Sequence, residues 1–276
     1  MPRYKRRENY SRELRELKME GFCPLASGSK GNCIYVGTKK TKILIDAGIS
    51  TKSIVERLAL INVDISEIEA ILISHEHSDH IAGLKVLAMK HNIPLIANQQ
   101  TAHAICDYLK ATPRFKIFLT GEPFQFGDIE IHPFSVQHDA IDPVAFTLAF
   151  DSLKLGVCTD LGFVTTLVSS HLEKCNLLYV EANHKPEMVH ASPRPMVYKQ
   201  RVLGRTGHLS NEACGELLAR VAHDGLKQVY LAHLSSECNT PQVAHDTVSG
   251  ILAQHGIHLP IAIAHQEKKS TATLFT

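Results

Sequence analysis

Four potential metal ligands fall within six residues, His75-Glu76-His77-Ser78-Asp79-His80, directly after the apolar run Ala70-Ile71-Leu72-Ile73. A short, wholly apolar run of this kind predicts a strand buried on both faces. The three histidines and the aspartate therefore emerge together from a strand end and open the next helix. One ion cannot accept all four in relaxed geometry. Two ions side by side can, as in two-metal hydrolases. The remaining ligands must then come from other parts of the chain.

Further candidates stand just past other predicted strands. His138 follows a strand at 131–136, Asp160 follows one at 154–159, and His233 follows Gln228–Ala232. Alone, each reads as an ordinary surface or core residue. Together they complete two ligand sets: His75, His77 and His138 on one ion, Asp79, His80 and His233 on the other, with Asp160 bridging. Imidazole with carboxylate suits zinc first, with manganese or iron also compatible. Asp79 is in addition a candidate to orient the attacking water.

The rest of the chain has to build a scaffold for these strand ends. Apolar residues make up 44% of its 276 residues, enough for a large core. Strands are expected at 33–36, 42–45, 94–97, 177–180 and 260–264. Hairpins are expected at 124–136 and 145–159, turning at Gly127-Asp128 and Asp151-Ser152. Helices are expected from Ser50 to Ala59, over 81–90 and 99–110, after Ser210, and from the Thr240-Pro241 cap to Gln254. Hairpins alternating with helices predict an α/β fold, with two mixed sheets packed face to face and helices outside. Residues 1–20 read as a basic arm, with seven basic and four acidic side chains, and 21–276 as one domain. The arm fits a frayed, solvated helix, or a segment that touches a polyanion.

Lys and Arg total 29 against 28 for Asp and Glu, which supports neither a strongly basic nucleic-acid binder nor an acidic tail protein. No apolar run approaches the roughly 18 residues of a membrane span. No apolar signal-peptide core precedes Gly21. The seven cysteines form no C-x-x-C pair and are read as reduced. A cytoplasmic protein with no membrane partner is expected. The oligomeric state is left open, a homodimer included.

The order H-x-H-x-D-H, downstream His138, Thr159-Asp160 and late His233 resembles the metallo-β-lactamase-fold hydrolases, over about 21–264. The resemblance implies a four-layer αββα sandwich with metals at one edge. It also implies that Asp46, in Leu44-Ile45-Asp46-Ala47-Gly48, steadies a ligand histidine. Ser27-Gly28-Ser29-Lys30-Gly31-Asn32, Glu181-Ala182-Asn183-His184, Gly207-His208-Leu209-Ser210-Asn211 and Ala232-His233-Leu234-Ser235 resemble the YycJ (WalJ)-like branch. That likeness implies exonuclease action on DNA, 5′ to 3′.

Two segments bear on a phosphodiester substrate. Residues 27–32 hold two glycines among small polar side chains, a turn that either closes tightly or cups an oxyanion with its N–H groups. Ser27, Ser29 and Asn32 are its candidate contacts. Residues 185–205 carry Lys185, Arg194, Lys199, Arg201 and Arg205 against Glu187. Such a run is either a solvated face or, beside a metal site, a grip on DNA, with Arg201 and Arg205 as candidates. His208 is a candidate to hold a phosphate oxygen or protonate a leaving oxygen. Asn183 and His184 follow a strand end and are candidates to line the same edge.

Other hydrolases of this scaffold remain alternatives: cyclic-phosphate or tRNA-processing phosphodiesterases, thioesterases and lactonases. The di-iron oxidoreductases of similar pattern place Glu where this chain has His77. A non-catalytic protein with a residual metal site is disfavoured by the complete ligand set. Of 17 histidines, ten have no argued role.

Overall fold

The computed structural model describes residues 19–275. The expected arm lies outside the described residues up to position 18. Met19, at its expected end, already belongs to the body: it is buried, and its carbonyl accepts from the Tyr35 hydroxyl at 2.8 Å.

Strands β1 (Gly21–Ala26), β2 (Cys33–Gly37) and β3 (Lys42–Ile45) lead to helix α1 (Thr51–Ala59), which Ser50 caps by accepting from Ser53 N–H. Then come β4 (Ala70–Leu72), α2 (Ser78–Ile81), α3 (Leu84–Met89), β5 (Leu95–Asn98), α4 (Gln99–Leu109) and β6 (Phe115–Phe118). The second half opens with β7 (Phe124–Phe126), β8 (Ile129–Ser135), β9 (Val144–Phe150) and β10 (Leu153–Cys158). Helix α5 (Thr166–Leu172), β11 (Leu177–Glu181), α6 (Pro186–Ala191), α7 (Met196–Leu203) and α8 (Asn211–Val221) follow. The chain closes with β12 (Gln228–Ala232), α9 (Pro241–Gln254), β13 (Ile261–Ile263) and β14 (Thr273–Leu274).

The strands form two seven-stranded sheets, ordered β14-β1-β2-β3-β4-β5-β6 and β13-β12-β11-β10-β9-β8-β7. Each is mixed: β3 to β6 and β10 to β13 run parallel, and the hairpin strands antiparallel.

The layers follow from alternation along single strands. In β4, Ala70 and Leu72 point into the core between the sheets and Ile71 points to the helices outside. In β12, Tyr230 and Ala232 face the second sheet's partner while Val229 and Leu231 face outward. Strands covered on both faces need apolar residues at every position, which is why these runs do not alternate with polar residues. Ile54, Leu58, Leu84, Leu87 and Ile105 cover the first sheet; Val168, Leu172, Leu217, Val248 and Leu252 cover the second. Three apolar layers between four structural layers give the expected αββα sandwich.

One expected element is divided. The helix expected over 81–90 is two, α2 and α3, and begins at Ser78. The Ala47 N–H donates to the His80 carbonyl and the Gly83 N–H donates to the Ala47 carbonyl, both at 2.8 Å, so the helix is interrupted to pin it against the loop after β3. A Cβ at Gly83 would stand 2.5 Å from the Ile49 carbonyl oxygen.

Candidate metal centre

Strands β4, β8, β10, β11 and β12 all end at one edge of the sandwich, and each delivers side chains there. Asp46, Asp160 and His233, just past β3, β10 and β12, have left-handed backbone angles (φ 56°, 57° and 51°). Non-glycine residues hold this conformation only where their surroundings enforce it. Here the sharp turns aim three functional side chains into one volume.

The seven residues expected to bind metal are brought together. Ligand atoms of His75, His77 and His138 lie within 4.8 Å of one another, as do those of Asp79, His80 and His233, and those of His75, His80 and Asp160. Asp160 touches both sets, with Oδ2 3.3 Å from His80 Nε2 and Oδ1 3.8 Å from His138 Nε2. His75, His80, His138, Asp160 and His233 are buried.

Hydrogen bonds fix which ring nitrogens are free. His80 Nδ1 donates to Asp46 Oδ2 at 2.8 Å, His138 Nδ1 to the Gly207 carbonyl at 3.0 Å, and His233 Nδ1 to Glu181 Oε1 at 2.8 Å. His75 Nδ1 lies 3.0 Å from Ser74 Oγ, which donates to Asp46 at 2.8 Å. His77 Nε2 donates to the Asp139 carbonyl at 3.2 Å, leaving Nδ1. Such partners are what orient metal-binding imidazoles. The buried atoms left without a hydrogen-bond partner include His75 Nε2, His138 Nε2, His233 Nε2 and Asp160 Oδ2. Buried polar atoms are rarely unpaired, and this set points inward at shared positions. The donor set fits two divalent ions.

The electrostatics point the same way. Burial disfavours a charged His80, but the Asp46 and Asp160 carboxylates outweigh it and hold its pKa well above the usual range. Burial likewise opposes ionisation of Asp160, and His233 and His80 outweigh it in the other direction. An anionic cage that draws positive charge to a buried point is the setting a cation needs.

Glu181, at the end of β11, stands in one of the quoted motifs but had no role assigned to it. It is fully buried. Its Oε1 accepts from His208 Nδ1 at 2.9 Å and His233 Nδ1 at 2.8 Å; its Oε2 accepts from the N–H groups of Leu161 at 3.0 Å and Leu209 at 3.1 Å. Burial opposes its charge, yet His208 and His233 lower its pKa to about 2. Its oxygens also lie near Asp160, His208 and His233. With four N–H donors already on them, they hold histidines rather than a metal. The signal for it was a lone acid closing an apolar strand, since acids are almost never fully buried unless paired.

The expected substrate contacts divide. Ser29, Asn183, Arg201 and His208 line a cleft of about 280 Å³ over the ligand cluster, with Arg194, Tyr198, Ser235, Ser236 and Glu237. Ser27, Asn32, His184 and Arg205 do not. Ser27 is buried, and its hydroxyl accepts from Tyr179 at 2.6 Å and from the His233 N–H at 2.8 Å. Asn32 is buried behind the ligands, its amide 3.1 Å from His80 Nε2 and its N–H on the Asp79 carbonyl at 2.8 Å. His184 is buried against Asn183, and burial lowers its pKa to about 4. The Arg205 guanidinium covers the Phe163 ring at 4.1 Å.

The oxyanion-cupping turn is also not formed. The N–H groups of Ser27, Gly28, Lys30, Gly31 and Asn32 already donate to His265, Asn32, Gln266, Gly28 and Asp79. The turn packs instead against the loop after β3: a Cβ at Gly31 would stand 2.4 Å from the Gly48 carbonyl oxygen, and one at Gly48 would overlap the Asp79 carbonyl. Its work is to brace the segment that carries Asp79 and His80. Asn183, although it lines the cleft, also donates to the His233 carbonyl at 2.7 Å. Arg201 lines the cleft with its charge shared, Nε donating to Asp139 Oδ2 at 2.5 Å.

An αββα sandwich with a histidine and carboxylate cluster at the strand ends defines a metallo-hydrolase. The family model of the beta-lactamase superfamily domain matches residues 41–234, and the chain belongs to that superfamily. It is 38% identical to Exodeoxyribonuclease YycJ of Bacillus anthracis over 237 residues, 85% of this chain and 90% of the relative. It is 39% identical to Exodeoxyribonuclease WalJ of Streptococcus pneumoniae over 257 residues, 91% and 96% of the two chains. Among solved structures, the metallo-beta-lactamase fold protein YhfI of Bacillus subtilis superposes with a TM-score of 0.67, covering 90% of this chain and 98% of its own. At 13% identity that likeness speaks to the fold alone.

Proposed function

We propose that this protein is a two-metal exodeoxyribonuclease that removes nucleotides from DNA in the 5′-to-3′ direction. The observation that carries the reading is the 38–39% identity with two exodeoxyribonucleases over most of each chain. The clustered ligand set in a polar cleft supports it.

In this reading His75, His77 and His138 would hold one ion and Asp79, His80 and His233 the second, with Asp160 placed between the two sets. Two divalent ions, zinc first and manganese or iron as alternatives, would lower the pKa of water and neutralise charge on the phosphoryl oxygens. Asp79 Oδ2 lies 3.5 Å from His233 Nε2 and lines the cleft, where it can also orient the attacking water. Asp46 accepts from His80 Nδ1, so the Nε2 lone pair, 3.1 Å from the Asn32 amide, is the one that would face the ion. Glu181 accepts from His208 Nδ1 and fixes the ring; with both ring nitrogens protonated, the Nε2–H can donate to a phosphate oxygen or give its proton to the departing oxygen. Ser29 and Arg201 contact the strand from the cleft wall. Among the described residues no helix is long and apolar enough to cross a membrane. The cytoplasmic location rests on the seven free cysteines, six of them buried.

The test is metal-stripped protein supplied with each metal in turn and assayed on 5′-labelled and 3′-labelled duplex DNA. Early release of the 5′ label as mononucleotide is the expected result. Asp79→Ala and His80→Ala should each abolish cleavage with the fold retained. DNA cleavage surviving in either variant would overturn the mechanism, and turnover of small esters without DNA cleavage would overturn the substrate.

A further inference from the structure

Helix α7 forms one wall of the cleft, and α6 packs beside it through a small cluster of Val189, Val202 and Cys238. Tyr198, Arg201 and Val202 all line the cleft. Val197 and Arg201, like Tyr198 and Val202, are four residues apart, so these four share one helical face. The first turn of α7 is unusually apolar for a surface: Met196 is 66% exposed and Val197 is 77% exposed. Tyr198 beside them is half-buried.

Arg194 completes the group. Glu237 grips it in a fork, through Nε at 2.7 Å and through Nη2, and this sets the guanidinium 5.4 Å from the centre of the Tyr198 ring. An aromatic ring, a guanidinium plane and exposed aliphatic carbon are the surfaces on which unpaired bases stack. Of the five basic side chains in the run 185–205, Arg194 and Arg201 are paired with Glu237 and Asp139, which leaves Lys185, Lys199 and Arg205 to complement a phosphate backbone. The cleft's roughly 280 Å³ is at the small end of ligand sites, a size nearer to one nucleotide than to a length of duplex.

We propose that Tyr198, with Val197 and Arg194 beside it, is the platform on which the unpaired terminal base of a DNA strand stacks as its phosphate enters the metal cleft. The proposal rests on the exonuclease reading and names its substrate contact. It accounts for exposed apolar residues directly beside a polar metal cleft. It also assigns selection of the strand end to α7 rather than to the glycine-rich turn at 27–32.

The experiment compares single-stranded oligonucleotides with a normal or an abasic terminal nucleotide, using the metal-loaded full chain. The wild type should show KM on the order of tenfold lower for the intact end. Tyr198→Ala should raise KM for the intact end and erase the difference, while Tyr198→Phe should keep it. Metal content and thermal melting report whether each variant folds. A Tyr198→Ala protein that still discriminates intact from abasic ends would overturn the platform, as would a wild type that cleaves both with equal KM. A wild type that cleaves neither oligonucleotide yet degrades duplex DNA would overturn the platform alone, and one that degrades no DNA would remove the exonuclease reading and the platform with it.

Discussion

Replacing Glu181 with Gln changes one oxygen for an NH2 group and almost nothing in volume. The carboxylate accepts from two imidazoles on Oε1 and from two backbone N–H groups on Oε2. A carboxamide has one acceptor oxygen, so one pair must face a donor. If the amide oxygen turns to the histidines, the N–H groups of Leu161 and Leu209 are orphaned in a fully buried place. Each orphan costs about 1–3 kcal/mol, so the variant loses about 2–6 kcal/mol. For a chain of this size that is roughly 5–20 °C in Tm. If instead the oxygen turns to the backbone, His233 must move its proton to Nε2 and can no longer ligate. Metal affinity then falls on the order of 10–100-fold. Thermal melting with and without metal, together with a chelator competition, reads both branches. A variant with Tm within about a degree of wild type and metal Kd within about twofold would refute the reasoning.

The same residue predicts an acid dependence of the metal-free protein. Its folded pKa is lowered from 4.5 to about 2. A depressed carboxyl contributes stability that is present above its unfolded pKa and is lost as pH falls through its folded one. The shift corresponds to about 3 kcal/mol, lost between roughly pH 5 and pH 2. Urea titrations of wild type across that window should show a slope that Glu181→Gln flattens. Parallel slopes would mean the charge is not what holds the two histidines.

Asp46→Asn should loosen His80 and weaken metal binding on the order of 10–100-fold, read by the same competition; unchanged metal content after dialysis would count against it. Ser29→Ala should raise KM for DNA while metal content holds, whereas Asn32→Ala, behind His80 and Asp79, should lower metal content. The reverse pattern would place the turn's substrate contact at Asn32. Burial raises the thiol pKa of Cys23 to about 11 and of Cys175 to about 12, and pushes Cys33, Cys158 and Cys214 up as well, while Cys106 is half-exposed. A disulfide exchange reagent at pH 8 should therefore modify Cys106 first and the buried thiols only on unfolding; fast reaction of several thiols would show that the core is looser than described.

Most of the scaffold is legible where one local rule suffices. The apolar runs of β4, β11 and β12 need no partner information to be read as doubly covered strands. Ser50, Ser210 and Thr240 cap their helices as their residue types predict. Elements whose signal is weak or imposed from outside escape. Strand β1 carries Gly21 and Pro24 yet pairs through a bulge between β2 and β14. Strand β6 is an edge strand with two exposed positions. Helices α5, α6 and α7 are only six to eight residues long. The break between α2 and α3 is a tertiary event, decided by Ala47 rather than by residues 81–90.

The site divides along the same line. His75, His77, Asp79 and His80 announce themselves because their spacing is local. His138, Asp160 and His233 are found because each follows a recognisable strand. Ser27, Ser29 and Asn32 defeat that reasoning, since small polar residues in a glycine-rich turn serve a substrate or the protein equally well. What decides between the two is where their donors and acceptors are already spent. Those partners are Gln266, 236 residues beyond Lys30, Tyr179, 152 beyond Ser27, and His80, 48 beyond Asn32. A ligand set is written in short spacings and strand ends. The brace behind it is written in pairings across the whole chain, so only the three-dimensional arrangement separates Ser29 at the cleft from Ser27 and Asn32 behind the histidine and carboxylate cluster.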